Sequence, residues 1–226
     1  MPKTVSIAID GPAGAGKSTI ARRLAKELGY VYVDTGAIYR TVAYFFDTWG
    51  ISPKDIDGIT RYIDELNIDI WYDEDGLQHM YMNNIDVTDD IRTPEISQKA
   101  SLISAHAIVR DMLLDMQREV AEQFNVVMDG RDIGSVVLPK ATVKFFLTAS
   151  PEVRARRRTK ELLEKGQKAD YEKILKEIQQ RDYQDTHREV APLKMTRDSI
   201  KLDTSDMGIE EVISAMKETI AKKVMG

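Results

Sequence analysis

The chain has 226 residues, of which 42% are hydrophobic and 31% are charged, and its formal net charge is −5. This length fits one domain with room for a small inserted or mobile subdomain, and the hydrophobic content supports a single sizeable core. The composition therefore argues against global disorder, and the acidic balance disfavours a general nucleic-acid-binding protein.

The chain contains no cysteine. Disulfides and thiolate metal sites are therefore excluded, which suits a reducing cytoplasm. The sequence enters its first predicted strand at once, which leaves no room for a signal peptide, and no apolar run approaches the roughly 18 residues of a membrane span. We therefore expect a cytoplasmic protein with no membrane partner.

A predicted buried strand, Val5–Ile9, and a predicted amphipathic helix, Thr19–Leu28, flank a glycine-rich segment. That segment fits G-x-x-x-x-G-K-[ST] in full, at Gly11, Gly16, Lys17 and Ser18. Backbone N–H groups of such a turn and the N-terminus of the following helix bind phosphate oxygens. Lys17 can then reach the β- and γ-phosphates, and the Ser18 hydroxyl can bind magnesium. Strand, loop and helix together predict a P-loop that binds a nucleoside triphosphate.

Four further apolar runs are typical of interior parallel strands: Tyr30–Val33, Asn125–Met128, Val143–Leu147 and Ser199–Leu202. Helical patterns separate them. The clearest covers residues 94–124, and because it is long for one globular helix we expect a break near His106 or Ala107. The alternation predicts an α/β fold with a doubly wound, parallel, five-stranded sheet and helices on both faces.

Residues 66–92 follow a different pattern. Two apolar segments, 67–72 and 78–82, flank an acidic Asp-Gly turn, which predicts a small antiparallel-sheet insertion. We expect its aromatic residues Trp71, Tyr72 and Tyr81 to pack within the insertion rather than stack on a ligand.

The most charged region covers residues 150–192 and contains Arg154, Arg156, Arg157 and Arg158. A solvated helix face is the default interpretation of such a run. Four arginines in five helical positions point all round the helix, however, so some must face inward or toward an anionic ligand. We therefore interpret the region as a helical lid over phosphates. A nucleic-acid-binding role for these arginines is the weaker interpretation, given the acidic net charge.

Carboxylates and arginines cluster directly after predicted strands. Asp129 directly follows the run 125–128. This is the position at which a Walker-B carboxylate lies close to magnesium. Asp34, Thr35, Gly36 and Arg40 open a helix after the second strand and form a second potential anion site. Two further clusters cover 129–132 and 181–188. Two anion sites and several arginines indicate two phosphorylated substrates, whereas a switch GTPase needs only one.

Four segments together resemble the bacterial cytidylate kinases, a family of P-loop nucleoside monophosphate kinases. They are Ile9–Thr19, Asp34–Arg40, Asp129–Gly134 and Arg188–Leu193. The resemblance covers essentially the whole chain, including the small sheet insertion. It departs from the family at Thr35, where many relatives have serine; threonine keeps the hydroxyl and adds a methyl group.

The resemblance implies phosphoryl transfer from MgATP to CMP or dCMP in pyrimidine nucleotide metabolism, by a monomer that binds no nucleic acid. The implied ATP-phosphate site is Gly11, Pro12, Ala13, Gly14, Ala15, Gly16, Lys17, Ser18 and Thr19. The implied acceptor site is Thr35, Arg40, Ser101, Arg110, Arg131, Asp132, Arg181, Asp185 and Arg188. The implied catalytic residues are Lys17, Arg131, Arg157 and Arg188, and the implied magnesium ligands are Ser18 and Asp129, the latter directly or through water.

Within that acceptor site, Ser101, Arg110 and Asp132 match positions that recognise cytosine. The chemistry agrees, because cytosine presents an N4 amino donor and acceptors at N3 and O2, which suit a carboxylate and a guanidinium. Uracil has an acceptor at O4 and a donor at N3, the reverse of cytosine, and would leave Asp132 and Arg110 unpaired. Mismatches of this kind can support discrimination of about 10⁴–10⁵ in favourable sites.

We expect a single domain over residues 1–226. Its core would be about 1–35, 95–150 and 193–226, its acceptor region about 36–94 and its lid about 151–192. Two alternatives stay open: a P-loop kinase with a different small acceptor, and a nucleotide-dependent switch or binding module. A switch usually carries a guanine-reading Asn-Lys-x-Asp run, which this sequence lacks.

Overall fold

A computed structural model describes residues 4–224; residues 1–3 and 225–226, which the single-domain prediction includes, lie outside the described residues. Over residues 4–224 the chain forms eight strands and eight α-helices. The strands are β1 Ser6–Asp10, β2 Val31–Asp34, β3 Ile68–Tyr72, β4 Gln78–Met82, β5 Ile85–Asp86, β6 Val126–Gly130, β7 Val143–Thr148 and β8 Ile200–Asp203. The helices are α1 Lys17–Leu28, α2 Thr35–Thr48, α3 Ile56–Tyr62, α4 Pro94–Ile103, α5 Ala107–Gln123, α6 Pro151–Glu164, α7 Tyr171–His187 and α8 Ile209–Val224.

The five predicted interior strands form one parallel sheet in the order β2-β6-β1-β7-β8. Successive residues of β1 point to opposite faces. Ala8 packs in a cluster with α2, α4 and α5, whereas Ile7 and Ile9 pack in a second cluster with α1 and α8. Both faces of the central strand are therefore buried, which explains its continuous apolar sequence. The predicted doubly wound sheet with helices on both faces is confirmed.

The long helical pattern over 94–124 is broken where expected. Helix α4 ends at Ile103 and α5 begins at Ala107. His106, at the N-cap of α5, places its Nε2 atom 2.7 Å from the carbonyl oxygen of Pro53. The break therefore has a fixed geometry, and it places Ser104 at the edge of the cleft described below.

The insertion is a three-stranded antiparallel sheet in the order β3-β4-β5. The two predicted strands are confirmed, and the third, of only two residues, follows a turn in which Asn83 and Asn84 have φ values of 49° and 67°. Asparagine tolerates this left-handed region, which a two-residue hairpin requires. Trp71 contacts Tyr81, with ring centroids 6.5 Å apart, yet it remains 66% exposed, so its packing is looser than expected.

Helices α6 and α7 pack against each other in the predicted lid region. Arg154 points inward and is 2% exposed, whereas Arg156 and Arg158 are exposed. The Arg154 guanidinium donates 2.9 Å and 3.0 Å hydrogen bonds to the carbonyl oxygens of Ala149 and Ala13 and pairs with both carboxylate oxygens of Asp182. Arg154 thus links both lid helices to the P-loop. No helix within residues 4–224 is long and apolar enough to cross a membrane.

Gly11 and Gly29 allow a test of the backbone geometry at the beginning of the P-loop. Gly11 has a φ of 150°, and a Cβ atom there would lie 1.9 Å from the carbonyl oxygen of Leu147; Gly29 has a φ of 67° and open space around it. Gly29→Ala should lower the free energy of unfolding by about 1–2 kcal/mol, the cost of a left-handed side chain. Gly11→Ala adds a backbone clash and should cost at least twice as much. Urea unfolding measures both; equal losses would contradict the geometry.

Candidate active site

The carboxyl ends of all five parallel strands meet at one edge of the sheet, where ligands bind in folds of this type. A cleft of about 700 Å³ lies at this edge. Its walls come from the P-loop, from the segments that follow β2, β6 and β8, and from helices α4, α5, α6 and α7. Every residue predicted for the site lines the cleft except Gly11 and Pro12, which begin the P-loop behind it.

The P-loop turns at Gly14 and Gly16, which have φ values of 75° and 85°, and then opens into α1 at Lys17. Lys17 is buried, and its ammonium group donates a 2.8 Å hydrogen bond to the carbonyl oxygen of Pro12. Burial, together with the nearby charge of Arg131, lowers the pKa of Lys17 to about 7. An anion in the loop would therefore favour the charged ammonium form.

Asp129 lies beside the loop and holds two hydroxyl groups. Ser18 donates to its Oδ2 atom at 3.0 Å, and Tyr32 donates to its Oδ1 atom at 2.8 Å. Burial raises the pKa of Asp129 to about 6, and the nearby carboxylate of Asp34 adds to the increase. A hydroxyl and a carboxylate next to a phosphate-binding loop are oxygen ligands of the kind Mg²⁺ uses when nucleotide and water supply the rest. Residues 4–224 contain no cluster of three His, Asp or Glu arranged to hold a metal alone.

Thr35 lines the cleft but has an internal partner. Its hydroxyl donates a 2.7 Å hydrogen bond to the backbone carbonyl of Asp129. Gly130 allows this approach, because a Cβ atom there would lie 2.7 Å from Thr35 Oγ1. The hydroxyl therefore joins the ends of β2 and β6, and direct contact with an acceptor nucleotide stays a prediction for this residue.

Asp132 forms the centre of a buried charge cluster. The Arg110 guanidinium pairs with its Oδ2 atom, and Arg188 Nη2 lies 3.4 Å from its Oδ1 atom. Both arginines also bind Ser104: Arg110 donates to its carbonyl oxygen at 3.0 Å and Arg188 to its hydroxyl at 3.2 Å. The Arg110 guanidinium lies 5.4 Å from the ring centre of Tyr39. Donors and acceptors thus lie side by side on one wall; Ser101, on α4, lines the same cleft.

A second cluster joins β6 to the lid. Arg131 Nε donates to Asp185 Oδ2 at 2.8 Å. Burial acts to raise the pKa of Asp185, but the charge and hydrogen bond of Arg131, together with the nearby charges of Arg181 and Arg188, outweigh burial and lower the pKa. Burial lowers the pKa of Arg181 to about 10, and the nearby Arg131 contributes. The Nε atoms of Arg181 and Arg40 are buried without a hydrogen-bond partner in the described part of the chain. Such groups point to a ligand that completes them.

The lid meets the core at Arg157. Its guanidinium donates to the carbonyl oxygen of Thr204 at 2.5 Å and to the hydroxyl of Thr204 at 3.2 Å. Sequence reasoning missed Thr204, which carries no motif. It also missed Tyr39 and Ser104, although Tyr39 lies inside a segment singled out as an anion site and Ser104 lies at the expected helix break.

Asp10 connects the P-loop to the segment that carries Asp132. Its carboxylate accepts hydrogen bonds from the backbone N–H groups of Ile133, at 2.8 Å, and Gly134, at 2.7 Å. These amides begin a π-helical turn, Ile133–Val137, directly after Asp132. Because Asp10 immediately precedes Gly11, the position of the phosphate loop is tied to the position of the Asp132 cluster.

A P-loop on the central strand of a parallel sheet, facing a cationic cleft under a helical lid, defines a P-loop nucleotide-binding protein. The family that matches residues 7–222 is described as Cytidylate kinase. The cytidylate kinase of Carboxydothermus hydrogenoformans is 49% identical over 217 residues, which cover 96% of this chain and 97% of the relative. That of Clostridium tetani is 45% identical over 221 residues, covering 98% and 96%, and that of Streptococcus gordonii is 45% identical over 223 residues, covering 99% of both chains. This chain belongs to the cytidylate kinase family.

Asp10 predicts a pH dependence of stability. Burial raises its pKa in the folded state from an ordinary value of 3.8 to about 6. The folded state then binds the proton more tightly, so the contribution of Asp10 is greatest below pH 4 and is lost as the pH rises through 6. The free energy of unfolding of the wild type, relative to Asp10→Asn, should therefore fall by about 2 kcal/mol between pH 4 and pH 7.

Urea unfolding at a series of pH values measures this difference. Val127→Ala, which removes buried apolar surface but no titrating group, should lose the same free energy at every pH. If the difference in free energy of unfolding between wild type and Asp10→Asn did not change with pH either, the raised pKa of Asp10 would be contradicted.

Proposed function

We propose that this chain transfers the γ-phosphoryl group of ATP to CMP and dCMP, forming ADP and CDP or dCDP. The observation that carries the proposal is the buried Arg110–Asp132 pair, in a member of this family, within the same cleft as a complete P-loop. The pair supports recognition of the base, and the P-loop supports recognition of the phosphate donor. One cleft can therefore hold two nucleotides together.

Base selection follows from the pairing of donors and acceptors. The Asp132 carboxylate accepts from the N4 amino group of cytosine, and the Arg110 guanidinium donates to N3 and O2. The hydrogen bond of Arg110 to the carbonyl oxygen of Ser104 and its position over the Tyr39 ring fix the guanidinium before the base arrives. Uracil would place O4 against the carboxylate and N3–H against the guanidinium, and both buried charges would lose a partner.

The transfer needs no general base. The second pKa of a phosphate monoester is about 6, so the acceptor is mostly dianionic at neutral pH. An oxygen of the acceptor phosphate forms a bond to the γ-phosphorus while the bond from the γ-phosphorus to the β,γ-bridging oxygen breaks, and ADP leaves. The obstacle is the repulsion between two polyanions, and the arginines of the cleft reduce it. The unpartnered Nε atoms of Arg40 and Arg181 support a role in this charge neutralisation.

The donor site would use the backbone N–H groups of the P-loop and the ammonium group of Lys17. Lys17 would exchange its bond to the carbonyl of Pro12 for the β- and γ-phosphates. Ser18 and Asp129 would hold Mg²⁺, which neutralises phosphate charge and orients the γ-phosphoryl group when it is bound. The Tyr32 hydroxyl keeps the Asp129 carboxylate facing Ser18.

We propose that the chain works as one kinase domain with an acceptor region over residues 36–94 and a mobile lid over residues 151–192. Closure of the lid would exclude water, which otherwise competes with CMP for the γ-phosphoryl group. Arg157 supports this role, because it bridges the lid and the loop after β8 at one end of the cleft.

We further propose that the protein acts as a monomer in the cytoplasm. Every predicted site residue except Gly11 and Pro12 lines the same cleft, which supports a site that one copy of the chain completes. The absence of cysteine suits a reducing compartment. Sedimentation equilibrium at micromolar protein concentration tests the oligomeric state.

Lys17 and Lys26 form a matched pair of variants, because both lie on α1 but only Lys17 faces the cleft. Lys17→Met should lower kcat by at least about 100-fold, since the transition state loses a preorganised positive charge. Lys26→Met should leave kcat within about twofold, the range expected for an exposed change far from the chemistry. A coupled assay of ADP release measures both; similar kcat values for Lys17→Met and wild type would contradict the donor-site assignment.

The proposal as a whole is tested by ADP release from MgATP with CMP, dCMP, UMP, AMP or GMP as the acceptor. The wild type should use CMP and dCMP strongly and the others weakly. Asp132→Ala should lower kcat/KM for CMP by about 100-fold, because it removes a charged hydrogen-bond partner. Asp111→Ala, an exposed carboxylate one residue after Arg110, is the control and should behave as wild type.

Slow ADP release that is equal with every acceptor, or the same without any, would refute the kinase proposal and favour a nucleotide-dependent switch. Strong turnover with a different acceptor would instead mean that the Arg110–Asp132 pair reads another chemical group.

A further inference from the structure

Gln78 reaches from the small antiparallel sheet to the main sheet. It is the first residue of β4 and is 7% exposed. Its side-chain amide makes two hydrogen bonds to the backbone of Asp34: the N–H of Asp34 donates to Gln78 Oε1 at 2.8 Å, and Gln78 Nε2 donates to the carbonyl oxygen of Asp34 at 3.2 Å. The amide therefore pairs with Asp34 as a neighbouring strand would.

This pairing occurs at an open edge. Strand β2 is the outermost strand of the five-stranded sheet, with β6 on its other side. On its open side, the last residue of an edge strand has backbone N–H and C=O groups that are not hydrogen-bonded to a neighbouring strand. Gln78 satisfies both groups at Asp34, the point where β2 ends and α2 begins.

Asp34 in turn holds the beginning of α2 and one of the arginines of the cleft. Its Oδ1 atom accepts from the N–H of Ala37 at 2.9 Å and caps the helix, and its Oδ2 atom accepts from Arg40 Nη2 at 3.1 Å. Gly36 leaves room for both groups, because a Cβ atom there would lie 3.0 Å from Asp34 Oδ1 and 3.1 Å from Arg40 Nη1. The position of the Arg40 guanidinium therefore follows the position of the Asp34 backbone.

We propose that Gln78 is a positioning residue for the acceptor phosphate: it fixes the Asp34 backbone and, through the Asp34 carboxylate, aims Arg40 into the cleft. The inference rests on the proposed function. It gives the small sheet a role in catalysis, since the insertion supplies the group that preorganises a phosphate-binding arginine. Preorganisation raises affinity because less freedom is lost when the substrate binds.

A purely structural role predicts something different. Gln78 could simply attach the insertion to the sheet, with Met80 of the same strand packed in the core cluster that contains Ile38. Loss of its amide would then lower stability without a selective effect on the acceptor phosphate. Stability and phosphate recognition can be measured separately.

Gln78→Met keeps the length and approximate volume of the side chain and removes both hydrogen bonds. We expect it to raise KM for CMP by about tenfold, the equivalent of one lost charge-assisted contact of about 1.4 kcal/mol. KM for ATP should stay within twofold. Because the base-reading residues are untouched, kcat/KM for UMP should fall by the same factor as for CMP. Inhibition by cytidine, which has no phosphate, should be unchanged.

Asn83→Ala is the control within the insertion. It removes side-chain hydrogen bonds with the backbone of Asn67 and Glu65, which lie just before β3, but leaves the Gln78–Asp34 pairing intact. It should lower Tm without changing KM for CMP. In an Arg40→Met background, adding Gln78→Met should raise KM for CMP no further, because the group that it positions has been removed.

The inference is overturned if Gln78→Met lowers Tm but leaves KM for CMP within twofold, or if Gln78→Met and Asn83→Ala raise that KM equally. A wild-type protein that does not phosphorylate CMP would refute the proposed function and this inference together, an outcome distinct from an active wild type with an unaffected variant. If Gln78→Met does not fold, Gln78→Asn, which shortens the amide by one methylene group, carries the same prediction.

Discussion

The pairing of arginines with carboxylates inside one cleft is the interaction on which the rest of this structure depends. A site for two polyanions must be cationic, yet the chain must fold before either anion is present. Unpaired buried charges would cost several kcal/mol each. The chain meets both requirements by giving five of the arginines that line the cleft internal carboxylate partners: Arg110 and Arg188 share Asp132, Arg131 has Asp185, Arg154 has Asp182 and Arg40 has Asp34. Arg40, although paired, keeps a buried Nε–H group without a hydrogen-bond partner in the described part of the chain.

The same carboxylates also connect the parts of the site. Asp129 joins the P-loop to β2 through Ser18 and Tyr32, and Asp10 joins the P-loop to the segment after Asp132. Donor and acceptor regions are therefore held in one frame by side chains at the carboxyl ends of adjacent parallel strands. In-line transfer requires a fixed relative position of the two regions, because a misplacement of about 1 Å between reacting groups can cost about 100-fold in rate. Burial raises the pKa values of both Asp10 and Asp129 to about 6, so the fold disfavours the charged forms of these carboxyl groups.

The sequence allowed prediction of those features that lie in short contiguous segments. The P-loop, the Asp34–Arg40 helix start and seven of the eight strands follow from local patterns, and the family resemblance added Ser101 and Arg110. Contacts between distant segments could not be predicted from the sequence. The hydrogen bond of the Thr35 hydroxyl depends on the register of β2 against β6. The hydrogen bonds between Gln78 and Asp34 join residues that are 44 positions apart. Strand β5 was missed because two residues carry almost no periodic signal. The Arg154–Asp182 pair was missed because spacing alone cannot show which arginine of a run faces inward.

The proposed reaction requires one cleft to hold the donor and the acceptor nucleotide at the same time. Binding of a bisubstrate compound, in which cytidine and adenosine are joined by five phosphates, tests it most directly. Isothermal titration calorimetry should show one molecule bound per chain, with an affinity higher than that of ATP or CMP alone, and saturating ATP or CMP should each weaken its binding. A compound that binds no more tightly than ATP, or that CMP does not displace, would contradict a shared cleft.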